Sequence, residues 1–412
     1  MFWPKLHSEK IKSRVFEALS KNANYKSEEV LGIPGTYLDT EVFYDDAPFL
    51  KDAPFLSTLI ANPNHIGCHT LGDEHEQMFS GTQDIEKEVI RICAEEIFHA
   101  EPHSYDGYIA SGGTEANIEA IWIYRNYFVE QFNAKPDEIA LIYSEDSHYS
   151  MHKAGNLLSL RSLVIAVNKD SREINLSDLE RQIVNAIHHG TKYFIVILNM
   201  STTMFGSVDD IEKIANLLNI LRLNYKLHVD AAYGGFIYPL VNVESKYNFQ
   251  NESISSISID GHKMLQAPYG TGIFLIRKHL IQFVCNSKAQ YIKGKDHTLV
   301  GSRSGANAVC LWMILHAHGS TGWTVNMNQL VERATEFCKK LDELKVDYYR
   351  NKFSNIIAIR SVFVSSHLAK RFYLVPDDHE GHPLWFKIVV MPHVKQNILN
   401  RFLNELAEDL KK

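Results

Sequence analysis

The sequence predicts an α/β protein: a large domain built on a mostly parallel sheet, followed by a small α+β C-terminal domain. Three observations carry this. Strand-length apolar runs with almost no polar interruption recur between residues 139 and 276, helical patterns separate several of them, and the pattern changes after about residue 300. Apolar strands that alternate with helices belong to parallel sheets covered on both faces. The chain has 412 residues, 45% hydrophobic and 22% charged, long enough for one large domain and a smaller one.

Residues 1–70 form an N-terminal arm, in which an amphipathic helix (Ile11 to Leu19) precedes the proline-punctuated segments Gly32-Ile-Pro-Gly35 and Asp45-Asp-Ala-Pro48. Such an arm has little core of its own and is expected to lie on another subunit or domain. The large domain, 71–300, opens with a helix at Ile85 to Ile97, a short strand at Gly107 to Ala110, a glycine turn and a long helix from Glu115 to Gln131. Strands follow at Ile139 to Tyr143, Ser162 to Val167, Tyr193 to Leu198, Lys226 to Val229, Ile254 to Ile259 and Gly272 to Ile276. Helices are expected at Leu176 to Ala186 and Asp210 to Leu221. The last two strands can also join as a hairpin. Residues 301–412 carry helices at Asn307 to Ala317 and Val325 to Leu344, two or three strands, and a closing helix from Val394 to Leu410.

Net charge is −7, with acids and bases mixed and no block of five like charges, so nucleic acid and anionic membrane are not expected partners. The N-terminus lacks the apolar core of a signal peptide, and no apolar stretch approaches the ~20 residues of a membrane span. Five cysteines with no Cys-x-x-Cys spacing read as reduced thiols of a cytoplasmic protein.

Four stretches fall where strands give way to loops. In Ser111-Gly-Gly-Thr-Glu-Ala-Asn117, two glycines and two hydroxyls open a helix. They form an anion site, or Thr114 is simply a helix cap. In Ser144-Glu-Asp-Ser-His-Tyr-Ser-Met-His152, His148 and His152 stand four apart, a spacing metal ligands share, but no His-Glu-x-x-His is present. No metal is expected, and His148 at a strand end suits stacking on a planar ligand. In His228-Val-Asp-Ala-Ala232, Asp230 ends an apolar strand and needs a cap N–H or a cationic ligand nitrogen as partner. The fourth, Ser258-Ile-Asp-Gly-His-Lys-Met-Leu265, leaves Lys263 at least partly buried. A buried ammonium is costly unless paired or converted to something neutral, and lysines with depressed pKa form imines. An anion site, a stacking group, a carboxylate for a ring nitrogen and an imine-forming amine are the set that pyridoxal 5′-phosphate demands.

These motifs, in this order and spacing, resemble the group II pyridoxal-phosphate decarboxylases. Bacterial histidine decarboxylases are the most similar, through Tyr143 to Ser150, Ser201-Thr-Thr-Met-Phe-Gly-Ser-Val-Asp-Asp210, Gly301-Ser-Arg-Ser-Gly305 with Leu311-Trp312, and Arg350-Asn-Lys352. The resemblance covers roughly residues 75–400. It implies the fold type I, aminotransferase-like architecture of pyridoxal-dependent enzymes and decarboxylation of an L-amino acid. Histidine leads among substrates, with aspartate, glutamate, serine and aromatic amino acids behind.

By the same resemblance, Lys263 binds the cofactor aldehyde and Asp230 keeps the pyridine nitrogen protonated. His148 stacks on the ring and protonates the product. Ser111, Gly112, Gly113 and Thr114 hold the phosphate with Ser302 of a neighbouring subunit, Thr203 and Ala232 border the ring, and His262 flanks the phosphate side. Tyr291 opens a mobile loop that crosses the interface of a homodimer with shared active sites. Lys387, where glutamate decarboxylases carry an arginine, takes the substrate carboxylate together with Asn64 or His65. Two rivals remain: a carbon–carbon lyase of the sphingosine-phosphate lyase kind, and a scaffold without activity. An aminotransferase is disfavoured, Arg360 and Arg371 being weak candidates for its carboxylate clamp.

Overall fold

The computed structural model describes residues 80–285 and 295–411, together with Glu29, Leu31, Gly32, Asp39 and Glu41. The predicted helix at Ile11 to Leu19 and the candidate residues Asn64, His65 and Tyr291 lie outside the described residues.

Seven strands form the main sheet: β1 (Tyr105–Ala110), β2 (Ile139–Ser144), β3 (Arg161–Ile165), β4 (Tyr193–Asn199), β5 (Asn224–Asp230), β6 (Ile254–Asp260) and β7 (Gly272–Arg277). Their order is β1-β7-β6-β5-β4-β2-β3. Strands β6, β5, β4, β2 and β3 pair in parallel, whereas β7 runs antiparallel to both β6 and β1. The hairpin alternative for the last two strands is the one realised.

The β4 side chains show why both faces must be covered. Phe194, Val196 and Leu198 enter one buried cluster, and Ile195 and Ile197 enter the other. Helix α2 (Gly113–Phe132) covers the second face with Ile118, Ile121 and Tyr124. Helix α1 (Ser80–Arg91) runs into one π-helical turn, Ile92–Ile97, and lies on the first face through Val89, Ile90 and Cys93. Between the strands come α3 (Ser150–Leu157), α4 (Leu176–His188) and α5 (Ile211–Ile220), the last two capped by the Asn175 and Asp210 side chains.

Past residue 300, the two predicted helices are present and meet end to end within α6 (Gly305–Glu343). Gly319, at φ 63° and ψ 176°, is non-helical and separates them, so one residue makes the break that the sequence suggests is several residues wide. A four-stranded antiparallel sheet follows, ordered β10-β11-β9-β8: β8 (Tyr348–Tyr349), β9 (Ile356–Arg360), β10 (Val375–Pro376) and β11 (Trp385–Val389). Helices α7 (Ser366–Arg371) and α8 (Gln396–Asp409) complete it. The described residues of the arm lie on this part of their own chain. Leu31 is fully buried, donating to the Phe372 carbonyl and accepting from Val389 N–H, and Asp39 pairs with His318 beside the α6 break. No described helix is long and apolar enough to cross a membrane.

Candidate active site

The carboxyl ends of the parallel strands open on a cavity of about 700 Å³, where open α/β sheets place their ligands. Its lining brings together Ser111, Gly112, Gly113, Thr114, His148 and Thr203 with Ala232, Asp230, His262 and Lys263, from stretches up to 152 residues apart.

The turn before α2 is shaped by close approach. A Cβ on Gly113 would come within 2.8 Å of the Ala232 Cβ, and one on Gly272 would meet Gly112 backbone atoms at 2.6–2.8 Å. Gly112 itself has φ 154°, a region L side chains rarely adopt. The start of β7 therefore lies directly against the glycine turn. The Gly113 N–H is not free for a ligand anion, because it donates to Asp260 Oδ1 at 2.5 Å.

Asp260 is the residue that the sequence motif hides. Its second oxygen lies 2.8 Å from Lys263 Nζ, three residues on. Burial pulls the ammonium down, but the charge and hydrogen bond of Asp260 outweigh it and hold Lys263 above the usual lysine range. This corrects the expectation of a depressed lysine: the ammonium is buried as one half of an ion pair. His262 sits on the same carboxylate at 3.6 Å, and its ring meets Tyr269 at 4.6 Å. Burial lowers its pKa more than Asp260 restores it.

Asp230 ends β5. Its Oδ1 accepts from Ala232 N–H at 3.1 Å and its Oδ2 from Asn117 Nδ2 at 2.9 Å. His148 follows β2 after a turn closed by Ser147, whose N–H donates to the Ser144 carbonyl. Its ring lies tilted against Tyr149, centroids 4.1 Å apart, and burial pulls its pKa down. His152 points outward from α3, exposed, so the two histidines do not converge. Sequence reasoning missed Asn117, Ser150, Asn199 and Asp260 as site residues. Asn117 and Asp260 stand inside quoted motifs, but nothing in their spacing says what they touch.

Ser302 is exposed and does not line this cavity. Lys387 is 4% exposed, which excludes a solvent-facing strand lysine. Its ammonium donates to the Thr203 carbonyl at 3.2 Å, just behind the cavity wall, and burial, with the charge of Lys263, lowers its pKa to about 8. The two arginines considered for an aminotransferase clamp are engaged elsewhere. Arg360 lies over Trp385 beside Asp347, and Arg371 pairs with Glu29 and Glu405. Arg303 of the Gly-Ser-Arg element is buried against Glu86, bonds the Ile109 carbonyl at 3.1 Å and does not line the cavity.

A parallel sheet with its cavity at the strand ends, a lysine beyond β6, a carboxylate at the end of β5 and a glycine turn before α2 define a pyridoxal-dependent enzyme of fold type I. Residues 83–349 match the Pyridoxal-dependent decarboxylase conserved domain, and the chain belongs to that family. It is 47% identical to tryptophan decarboxylase of Clostridium sporogenes over 407 residues, 99% of this chain and 97% of that protein. Identity to histidine decarboxylase of Vibrio campbellii is 30% over 331 residues, 79% of this chain and 80% of that one. The likeness to histidine decarboxylases is thus one of family, and the tryptophan decarboxylase match takes in nearly the whole chain. Among solved structures, L-methionine decarboxylase from Streptomyces sp. 590 superposes with a TM-score of 0.77 at 22% identity, covering 98% of this chain and 96% of that one. The protein is a pyridoxal-phosphate-dependent amino acid decarboxylase. The cavity fits that cofactor: a glycine-walled turn at one part, an ionic carboxylate and a flat imidazole at others, and a primary amine among them.

Proposed function

We propose that this decarboxylase acts on an aromatic L-amino acid, tryptophan first, releasing the aryl-ethylamine and carbon dioxide. The observation that carries it is the 47% identity over nearly the whole chain to a tryptophan decarboxylase, against 30% to a histidine decarboxylase. The charges of the cavity support it. Glu115 accepts from the Tyr108 hydroxyl and Ser111 N–H, Asp230 from Asn117 and Ala232, and Asp260 from Gly113 and Lys263. Among the described lining residues Lys263 is the one ammonium and is already paired, and Lys387 behind Thr203 is assigned to the α-carboxylate, which leaves no further ammonium for an acidic side chain there. The exposed rings of Tyr149 and Tyr269 at the rim suit a flat apolar side chain.

When bound, pyridoxal phosphate supplies the conjugated ring that takes up the electron pair left as carbon dioxide departs. Lys263 is the amine that joins its aldehyde. Asp230, oriented by its two fixed donors, would hold a proton on the pyridine nitrogen. His148 would stack on the ring, with Thr203 and Ala232 bordering it. Ser111, Gly112, Thr114 and His262 would hold the phosphate. Gly113 gives the backbone its close approach, and Ser302 is read as completing the neighbouring subunit's site in a homodimer, where Tyr291 also belongs. Lys387 anchors the substrate carboxylate from behind Thr203, with Asn64 or His65 as second donor. Fixing that carboxylate selects which bond at the α-carbon breaks.

The carbon–carbon lyase reading draws on the Gly-Ser-Arg element, but here Arg303 serves as a buried tie to Glu86. Carbon dioxide release and amine formation across the twenty amino acids test the proposal. The expected result is the highest kcat/KM for tryptophan, with histidine and glutamate lower by at least about tenfold. Preference for histidine or an acidic substrate would overturn it.

A further inference from the structure

The sheet face beneath α2 carries a chain of polar groups that the roles above leave unused. The β5–β6 register sets His228 opposite Ser256 and Asp230 opposite Ser258. Asn117 of α2 reaches down between them. As a carboxylate, Asp230 can only accept, so the Asn117 amide must present its NH2 to Oδ2, at 2.9 Å. That choice fixes everything downstream. The other amide hydrogen falls on Ser150 Oγ at 3.1 Å, which leaves the Ser150 hydroxyl hydrogen for His148 Nδ1, 2.9 Å away. The Ser150 backbone N–H also points at Nδ1, at 3.3 Å, and a backbone N–H cannot accept. Two donors converge on one ring nitrogen, so that nitrogen carries no proton.

The opposite side of Asn117 agrees. Its Oδ1 accepts from Ser258 Oγ at 2.7 Å and from His228 Nε2 at 2.9 Å. His228 Nδ1 then takes the Ser256 hydroxyl at 2.7 Å, and Ser256 receives the Tyr124 hydroxyl. Burial keeps His228 neutral, pulled down to about 3. One donor direction runs through the whole chain.

We propose that Asn117 and Ser150 are positioning residues through which Asp230 holds His148 as the neutral Nε2–H tautomer, presenting its single N–H away from Ser150. This rests on the decarboxylase reading only in placing His148 over the cofactor. It also changes the role expected of His148. A ring that already accepts at Nδ1 is a hydrogen-bond donor and a flat stacking surface, and a poor acid, because giving up its N–H would leave an anion. An imidazolium would set Nδ1–H against the Ser150 N–H. The groups facing the ring pull both ways: Asp230 and Asp260 favour the cation, whereas Lys263 and Lys153 oppose it along with burial. The proton for the product therefore comes from another group.

The test is ring-15N histidine NMR of the full-length enzyme, cofactor-free and loaded, with His148 assigned by loss of its signal in His148→Gln. A neutral Nε2–H ring at neutral pH is expected in both forms. Ser150→Ala should raise the His148 titration midpoint by about one pH unit and populate Nδ1–H, because one donor to the neutral form is lost, and Ser150→Thr should restore wild-type behaviour. A wild-type ring found as Nδ1–H or as the cation would overturn the proposal, as would a Ser150→Ala spectrum unchanged from wild type. None of these readouts depends on which amino acid the enzyme prefers.

Discussion

Asp260 joins the glycine turn to the reactive lysine: one carboxylate oxygen accepts from Gly113 N–H at 2.5 Å and the other lies 2.8 Å from Lys263 Nζ. The carboxylate holds Lys263 above the usual lysine range, and only the unprotonated amine attacks an aldehyde. Asp260→Asn keeps the shape and removes the charge. The rate of cofactor attachment to the cofactor-free protein, followed by its visible absorbance, should then reach its plateau at lower pH than in wild type. An unchanged pH profile would remove Asp260 from this role. Lys263→Ala should leave nothing for borohydride to trap, and label found on another lysine in wild type would refute the assignment.

Gly272 tests the fit of β7 against the turn. In Gly272→Ala the new methyl meets Gly112 N, Cα and C, which are backbone atoms that cannot swing away. Overpacking of this kind costs about 1–3 kcal/mol, and here it acts on the phosphate side of the cavity. Cofactor affinity should fall about tenfold or more, measured by absorbance titration, and the melting temperature of the cofactor-free protein should fall by a few degrees. Wild-type affinity would show that the turn can shift without loss.

Arg303 and Glu86 make a buried pair that ties α1 to the segment before α6 and to the end of β1, where Glu86 also accepts from Ile109 N–H at 2.6 Å. Removing one partner leaves the other charge buried. Arg303→Met should therefore destabilise by about 3–5 kcal/mol in chemical denaturation, and the double variant Arg303→Met with Glu86→Leu by less than the sum of the two singles. Additive losses would mean that the two side chains contribute independently.

The sequence made the frame of the site legible and left its wiring obscure, for a physical reason. Strands such as Tyr193 to Leu198 announce themselves because both faces are buried, and the lysine, aspartate and glycine turn stand at strand ends where periodicity stops. Contacts across the sheet leave no such trace. Asn117 meets Asp230 113 residues away and Ser258 141 residues away, and the serines of β6 look like interruptions of an apolar strand until the register sets them beside His228. Gly319 shows a third case. A helix break caused by one backbone conformation reads in sequence only as a loss of apolar periodicity, and its width is overestimated.

Lys387 supplies the last prediction. Strand β11 places it opposite Ala358 on β9, and among the described residues its ammonium reaches the Thr203 carbonyl and no carboxylate that would offset the charge. Burial, helped by the charge of Lys263, lowers its pKa to about 8, so the group is mostly charged at neutral pH and loses its proton as pH rises through that value. A substrate carboxylate bound by this cation is held below pH 8 and released above it. KM should therefore climb as pH passes about 8, while the cofactor absorbance at saturating cofactor stays constant. Lys387→Met should show the high KM at every pH, about tenfold or more above wild type, as expected when a charge-assisted contact of roughly 1.5–3 kcal/mol is lost. Lys387→Arg, which cannot deprotonate in this range, should abolish the climb. The stability of the protein has the opposite sign to the binding. A lysine depressed in the folded state opposes folding while protonated, so the enzyme without substrate should become more stable between pH 8 and the ordinary lysine range, and Lys387→Met should lack that rise. A wild-type KM that is flat across pH 8 would reduce Lys387 to a buried strand residue bonded to Thr203.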